Sequence, residues 1–263
     1  MFIPLLFAGT KTLMESETKA TNVTDESDLP KNIQTTIGNR ESPAVLLTEY
    51  HENPGFLPKI NTLIAKYKFI RRSRGDGNCF YRAVAFQILN HLRQSTPAIV
   101  TSTIKKHNEI LDGFVNFFQY QRFTVEDYCE MFCEFATELQ GKELSALETI
   151  FQDEMNTMYL VYWMRLLTSY SIQSKAESFL PFISALGFSD AGTFCKAQVE
   201  PVNGDADQLQ IQALAEFMGW NLLIEYLDGS SGELNHHSFG SQEENAFEIV
   251  LLYRPGHYDM LSL

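Results

Sequence analysis

The stretch that decides the fold is residues 74–83, which read RGDGNCFYRA. A short strand pattern at residues 67–71 precedes it, and a strong helical pattern covers residues 79–92. The sequence therefore predicts that a strand enters a glycine-rich turn and that Cys79 lies in the first turn of the next helix. The glycines allow the turn to adopt positive φ and to approach a substrate closely.

The position of Cys79 makes it a candidate nucleophile. Unpaired N–H groups and the helix dipole place about half a positive charge at a helix N-terminus, which stabilises a thiolate. The N–H groups of the loop 76–79, with Gly77 and Asn78 at its centre, are placed to hold the oxyanion formed when a carbonyl is attacked. A buried structural cysteine after an ordinary Asp-Gly-Asn turn is the alternative, and this stretch alone does not separate the two.

A second motif, near the end of the sequence, supplies the other groups of a cysteine hydrolase. Residues 253–259 read YRPGHYD. Side chains alternate between the faces of a strand, so His257 and Asp259 point to the same side. Asp259 can then approach one ring nitrogen of His257, which leaves the other free to take a proton from Cys79. A lone histidine on a terminal strand is more often structural, and it is the two motifs together that favour catalysis.

The remaining sequence predicts helices first and strands last. Helical patterns cover residues 56–66, most of 100–186, and 207–217, and strand patterns cover 221–227, 247–253 and 258–263. A helical body followed by a small antiparallel sheet is typical of an α+β fold.

The first 45 residues are expected to form a flexible arm, and residues 46–263 a single catalytic domain. Thr, Ser, Glu, Asp and Lys dominate residues 10–42, which cannot bury enough apolar surface to offset the entropy of ordering. Residues 1–9 are apolar, but they lack the basic residues and the cleavage site of a secretory signal peptide.

Composition restricts the function further. The chain of 263 residues has a formal net charge of −13, which argues against nucleic-acid binding because such proteins carry clustered Lys and Arg. No apolar run approaches the roughly 20 residues that span a bilayer. The four cysteines are too few and too scattered for a disulfide scaffold and favour a reducing compartment. We expect a cytoplasmic monomer, with the nucleus as a second location, and no membrane partner.

The two motifs resemble the ovarian-tumour (OTU) family of cysteine deubiquitinases, and more narrowly its otubain subgroup. The resemblance continues through VYWMRLLTS at 161–169, VEP at 199–201 and EYLD at 225–228, and covers about residues 46–263. It implies a papain-like α+β fold, with a small antiparallel sheet flanked by helical layers. Gly75 departs from the subgroup pattern, in which a proline often stands at this position, and the arm does not match well.

The resemblance also implies an activity, hydrolysis of the isopeptide bond after the C-terminal Gly-Gly of ubiquitin, with lysine-48-linked chains preferred. Cys79 would attack the carbonyl, His257 would shuttle the proton and Asp259 would orient the imidazole. Asp76 matches a family aspartate that is often counted among the active-site residues, although we expect it mainly to shape the turn and the oxyanion site. No cofactor is implied. The implied partners are ubiquitin, polyubiquitin chains and, through the arm, ubiquitin-conjugating enzymes.

Two alternatives remain open at this stage. A non-catalytic regulator that binds ubiquitin and conjugating enzymes would need no reactive thiol, so an intact triad counts against it as the sole role. A papain-like hydrolase acting on another modifier or on a small amide would have the same triad. Reactivity towards ubiquitin and related modifiers carrying C-terminal electrophiles would separate this reading from a deubiquitinase.

Other reactive side chains have structural interpretations. Cys129 and Cys133 have a helical spacing compatible with a metal pair, but no nearby histidine or second cysteine pair completes a zinc site. We expect both of them, and Cys195, to pack in the core, and we expect no metal site. The histidine pair 236–237 fits a solvated loop or a strand edge. The aromatic cluster at 114–120 fits a helical core better than a ubiquitin-facing surface.

Overall fold

The structure is a computed structural model that describes residues 35–230, 232–241 and 247–263. The strands in chain order are β1 (Ile37–Glu41), β2 (Phe69–Ser73), β3 (Asn221–Tyr226), β4 (Asn235–Gly240), β5 (Glu248–Arg254) and β6 (His257–Ser262). The first α-helices are α1 (Val45–Glu49), α2 (Leu57–Lys66), α3 (Cys79–Gln94), α4 (Pro97–Asn116) and α5 (Glu126–Glu138). They are followed by α6 (Leu144–Gln152), α7 (Glu154–Ser174), α8 (Ala176–Ala185), α9 (Ala191–Phe194) and α10 (Gln208–Met218). Short 3₁₀ turns occur at Pro54–Phe56 and Arg122–Thr124, and a π-turn at Cys195–Val199.

The strands form one sheet in the order β1-β2-β6-β5-β3-β4. Neighbouring strands are antiparallel with one exception, the parallel pair β3 and β5. Strand β4 pairs with one edge of β3 and runs antiparallel to it. The chain then crosses to the other edge of β3, where β5 runs parallel to β3. The sheet is therefore larger than the sequence predicts, since β1 and β4 extend it at its two edges.

Helices cover both faces of the sheet. On one face, α3 to α7 and α10 pack in a large core that includes Ile224 of β3 and Leu251 of β5, both fully buried. On the other face, α1 and α2 pack in a smaller core with Leu252 of β5 and Leu261 of β6. The layered α+β arrangement agrees with the predicted fold class. Within the described residues, no helix combines the length and the apolar character needed to cross a membrane.

Helix α7 is the central element of the helical layer. Asp153 caps its first turn, because the carboxylate accepts a hydrogen bond from the Asn156 N–H at 2.9 Å. Trp163 and Leu167 are fully buried, as expected for a helix that is apolar nearly all round. The charged Arg165 lies in the same buried stretch, and its position becomes important at the candidate site.

The structure differs from the predicted arm at residues 37–45. Strand β1 lies in this stretch and pairs with β2, with Ile37 opposite Ser73 and Arg40 opposite Arg71. The stretch IGNRE contains a single buried apolar residue, Ile37, so its strand state depends on pairing with β2 rather than on local propensity. Residues 1–34 of the predicted arm lie outside the described residues.

Candidate active site

Cys79 begins helix α3, directly after β2 and the glycine-rich turn. Its side chain is buried within the core formed with the helical layer. In the turn, the Asp76 carboxylate accepts a hydrogen bond from the Asn78 N–H at 3.0 Å. Gly77 has a φ of 74°, and a Cβ atom there would lie 2.3 Å from the carbonyl oxygen of Asn203. Glycine is therefore required in the turn for both its backbone conformation and its close packing.

The turn is fixed to the helical layer by Arg165, a fully buried residue of α7. Its guanidinium donates to the carbonyl of Gly77 at 3.0 Å and to the side-chain oxygen of Asn78 at 2.8 Å. It also donates to the carbonyls of Val199 at 3.0 Å and Gly204 at 2.8 Å. Arg165 thus connects the nucleophile turn to the loop that follows the π-turn.

Asn78 completes this connection through its side chain. Its amide nitrogen donates to the Asn203 side-chain oxygen at 2.9 Å, and its amide oxygen accepts from the Asn203 N–H at 3.1 Å. Asn203 itself has a positive φ of 68°, a conformation that asparagine tolerates better than most residues. The backbone N–H of Asn78 is already bonded to Asp76, so Asn78 holds the loop in place rather than offering a donor to a substrate.

His257 begins β6 and contacts both of its predicted partners. Its Nε2 lies 2.8 Å from the Oδ1 atom of Asp259, and the Cys79 side chain lies close enough to its ring to raise its pKa. Because Asp259 occupies Nε2, the Nδ1 atom is the one left for Cys79. Burial alone would lower the pKa of His257, but the hydrogen bonds and charges of Asp259 and Cys79 raise it to about 9. An imidazolium next to Cys79 is therefore favoured at neutral pH.

Asp259 is fully buried and accepts four hydrogen bonds. Its Oδ1 accepts from His257 and from the Ser73 N–H at 3.0 Å. Its Oδ2 accepts from Arg72 at 3.1 Å and from Arg254 at 2.6 Å. Burial alone would raise the pKa of Asp259, but the charge of Arg254 and the bond from His257 hold it well below its usual range. The carboxylate is therefore ionised and held in one orientation.

Asp76 has a different position from the other three predicted site residues. Its Oδ2 accepts from Arg82 at 2.5 Å and from Arg74 at 3.2 Å, while its Oδ1 accepts from Asn78. Burial alone would raise the pKa of Asp76, but the hydrogen bond and charge of Arg82 lower it. The carboxylate is thus directed into the turn and towards α3, consistent with a role in shaping the loop.

Sequence reasoning missed several charged residues that surround the site. Arg72 and Arg254 are almost fully buried and hold Asp259. Glu49 in turn pairs with both arginines, and Arg165 fixes the turn. One sequence signal could have indicated them, namely a single charged residue within an apolar stretch, such as Arg165 in α7. A buried arginine requires hydrogen-bond or charge partners, so such a residue predicts a polar cluster around it.

The other cysteines, the histidine pair and the aromatic cluster considered in the sequence analysis are not among the residues that contact Cys79, His257 or Asp259 as described above. Cys129 is buried and Cys133 half-buried in α5, Cys195 is buried, and the histidine pair 236–237 is exposed on the edge strand β4. In the described part of the chain, no group of three or more His, Cys, Asp or Glu is arranged to hold a metal ion. The aromatic cluster is divided, since Phe114 is fully buried whereas Phe117 is 77% exposed.

Comparisons with known proteins point to one family. A family model described as Peptidase C65 Otubain matches residues 30–262. OVARIAN TUMOR DOMAIN-containing deubiquitinating enzyme 1 of Arabidopsis thaliana is 36% identical over 244 residues, which cover 86% of this chain and 80% of that protein. Ubiquitin thioesterase OTUB1 of Homo sapiens is 34% identical over 233 residues, covering 86% and 82% respectively. A solved complex of ceOTUB1 with ubiquitin aldehyde and UBC13~Ub has a TM-score of 0.79 at 27% identity, covering 96% of this chain and 98% of that one.

Proposed function

This chain belongs to the peptidase C65 otubain family of cysteine proteases, and we propose that it is a deubiquitinase that hydrolyses the isopeptide bond at the C-terminus of ubiquitin. The observation that carries the proposal is the chain of contacts from Cys79 to His257 and from His257 Nε2 to Asp259. A nucleophile, a base and an orienting carboxylate in this order are the parts that thiol-dependent acyl transfer needs.

The first half of the proposed reaction forms a thioester. Nδ1 of His257 takes the proton of the Cys79 thiol, and the sulfur attacks the carbonyl carbon of the terminal glycine of ubiquitin. The resulting oxyanion is held by backbone N–H groups at the start of α3. Gly77 and Cys79 are the candidate donors, because the Asn78 N–H is bonded to Asp76. The C–N bond then breaks as His257 gives its proton to the departing lysine amine.

The second half of the reaction hydrolyses the thioester. His257 accepts a proton from water as the water oxygen attacks the same carbonyl. The C–S bond then breaks with its electron pair staying on the Cys79 sulfur, and the new carboxyl group of ubiquitin leaves and gives its proton to the solvent. Asp259 keeps the imidazole aligned in both halves, since Arg72 and Arg254 hold its carboxylate from the opposite side. Asp76 acts through the loop, where it fixes the Asn78 N–H and contacts Arg82.

We further propose that lysine-48-linked chains are the preferred substrate, on the strength of the otubain resemblance. Cleavage of a panel of di-ubiquitin linkages, resolved on a gel, tests the activity and the linkage together. The variant Cys79→Ala is the test, and Cys133→Ala, which removes a half-buried cysteine of α5, is the matched control. The proposal expects cleavage of the lysine-48 form by the wild type and by Cys133→Ala only.

The other outcomes of this experiment are equally informative. Cleavage of different linkages, lost in Cys79→Ala, would keep the activity and overturn the linkage preference. Cleavage by Cys79→Ala would overturn the nucleophile. Binding of ubiquitin without cleavage of any linkage would leave only a non-catalytic role.

A second function, regulation of ubiquitin-conjugating enzymes by binding, is favoured by one observation. Solved otubain complexes that resemble this chain contain ubiquitin aldehyde with UBC13~Ub or UBCH5B~Ub. We propose that the chain binds ubiquitin-charged conjugating enzymes through its predicted arm, alongside its catalytic role. The test measures the discharge of ubiquitin from a charged conjugating enzyme in the presence of this chain. It compares the full-length Cys79→Ala variant with the same variant lacking residues 1–34. Slower discharge with the full chain only is the expected result.

A further inference from the structure

Glu49, the last residue of α1, lies between two arginines that come from different strands. Its Oε1 pairs with Arg72 of β2, and its Oε2 lies 3.3 Å from Nη1 of Arg254 of β5. The side chain of Glu49 is partly exposed at 29%, whereas those of the two arginines are 6% and 2% exposed. The partly exposed carboxylate of Glu49 thus lies between the solvent and the two buried guanidinium groups, and pairs with both of them.

The same two arginines also hold the orienting carboxylate of the site. Arg72 uses Nη1 for Asp259 and Nη2 for Glu49, and Arg254 uses Nη2 for Asp259 and Nη1 for Glu49. Each guanidinium therefore bridges the two carboxylates. Glu49 of α1 is thereby linked to the active site, since the arginines that it contacts also contact Asp259. Asp259 in turn contacts His257 directly.

The charges in this cluster require Glu49. When His257 is protonated, three cations lie close to Asp259, which is fully buried. Glu49 adds a carboxylate that pairs with both arginines, and its charge reduces the positive potential that they impose on the imidazolium. A neutral residue at position 49 would leave that potential uncompensated in a site where charges are weakly screened.

We propose that Glu49 is a positioning residue for the reaction, which keeps His257 protonated by neutralising Arg72 and Arg254 and holds both arginines on Asp259. The proposal rests on the proposed function of Cys79 and His257. Among the described residues, Asp259 of β6 and Cys79 of α3 act on the His257 ring directly. Behind Asp259 lie Arg72 of β2 and Arg254 of β5, and around these arginines lie Glu49 of α1, Glu41 of β1, and Tyr50, which follows α1.

The test is a titration of His257 in the full-length protein without substrate. The six histidines are followed by NMR of ring-labelled protein, and the spectrum of His257→Ala assigns the resonance. Glu49→Gln keeps the size of the side chain and one of its two acceptor oxygens but removes its charge. The proposal expects this variant to lower the titration midpoint of His257 by about half a pH unit, and the alkaline limb of kcat/KM to move by the same amount.

Two further variants separate charge from packing. Glu49→Asp keeps the charge and should restore the wild-type midpoint. Glu41→Gln is the matched control, because Glu41 lies 3.7 Å from Arg72 and is more exposed than Glu49, and it should move the midpoint by clearly less than Glu49→Gln does. A uniform loss of rate in Glu49→Gln at every pH, with an unmoved midpoint, would overturn the proposal, because it would mean that Glu49 acts through packing alone.

The wild-type titration and one further variant provide additional tests of the proposal. A wild-type His257 that titrates near its ordinary value would remove the proposed Cys79–His257 ion pair, and with it this proposal. If Glu49→Gln does not fold, Arg72→Gln gives the converse test. Loss of a positive charge from the same cluster should raise the midpoint, and an unchanged or lower midpoint would overturn the proposal.

Discussion

His257 Nε2 lies 2.8 Å from Asp259 Oδ1, and this bond assigns the two ring nitrogens to different tasks. Nε2 is occupied by the carboxylate, so the proton exchanged with Cys79 must be carried by Nδ1. The carboxylate is unable to turn away, since Ser73, Arg72 and Arg254 hold its other positions. The orientation of the base is thus built into the sheet before any substrate binds.

Replacement of the orienting carboxylate tests this relationship. We expect Asp259→Asn to lower kcat/KM by roughly 10- to 100-fold, which corresponds to about 1.4–2.7 kcal/mol of transition-state stabilisation. The loss should be smaller than that of His257→Ala, because the base itself remains. The measurement is hydrolysis of a fluorogenic amide at the C-terminus of ubiquitin. An Asp259→Asn variant as inactive as His257→Ala would mean that the carboxylate does more than orient.

The same substitution should also reduce stability. Two buried guanidiniums would lose their shared partner, and breaking a buried ion pair costs about 3–5 kcal/mol. Urea unfolding of Asp259→Asn against the wild type measures this cost. An unchanged free energy of unfolding would show that Arg72 and Arg254 are held mainly by Glu49.

The pH dependence of activity and stability follows from the raised pKa of His257. The folded-state pKa of about 9 exceeds the ordinary 6.5, so this histidine contributes stability that is fully present below pH 6.5 and is lost as pH rises through about 9. The free energy of unfolding should decrease over this window in the wild type, and decrease less in His257→Ala. The kcat/KM of the wild type should fall on the alkaline side with a midpoint near 9. A midpoint near 6.5 would contradict the hydrogen-bonded imidazolium.

Gly77 offers a test of the nucleophile turn with an internal control. A Cβ at Gly77 would lie 2.3 Å from the Asn203 carbonyl oxygen, whereas a Cβ at Gly141, which has a similar φ of 70°, would meet nothing within 4 Å. Gly141→Ala should therefore cost only the conformational penalty of about 1–2 kcal/mol and keep its activity. Gly77→Ala should cost more and lose most of its activity, because the turn must move away from Asn203. Thermal unfolding and kcat/KM measure the two effects, and equal behaviour of the two variants would contradict the close packing.

Arg165 is expected to affect activity although it does not touch the substrate. Arg165→Ala removes the donor to the carbonyls of Gly77, Val199 and Gly204, and one of the two donors to the Asn78 side-chain oxygen. Each unsatisfied group costs about 1–3 kcal/mol, so the turn should loosen and kcat should fall more than KM rises. Arg165→Lys should recover little, since an ammonium does not reproduce the planar fork of donors.

The control for this prediction is an arginine at the surface. Arg122 is 48% exposed and pairs with the exposed Asp112, and Arg122→Ala should leave stability and kcat nearly unchanged. If Arg165→Ala behaved in the same way, the bridge between the turn and the loop at 199–204 would have no catalytic role.

The sequence predicts the elements that carry strong local signals. The helix that begins at Cys79 and the strand that carries His257 lie where periodicity places them. The sequence also predicts that Cys79, His257 and Asp259 meet, since a nucleophile and a base that share a function need to be in contact. Strand β1 was missed because its residues have little strand preference of their own, and β4 because it lies exposed at the sheet edge.

The charged cluster around Asp259 could not be predicted from local pattern. Arg72 and Arg254 occupy strand positions where a charge normally indicates a solvent-facing side, and Glu49 ends a five-residue helix. Their burial against one another depends on the sheet order, which brings β2, β6 and β5 side by side under α1. Such long-range pairing of charges becomes visible only in three dimensions.

The most direct test of the central claim is capture of the nucleophile by a ubiquitin that carries an electrophile at its C-terminus, followed by mass spectrometry of the adduct. The account predicts that the wild type gains one ubiquitin, that the attachment site is Cys79, and that Cys79→Ala gains none while Cys133→Ala behaves as the wild type. Attachment at Cys129, Cys133 or Cys195, or no adduct with a folded wild type, would contradict the assignment of Cys79 as the nucleophile.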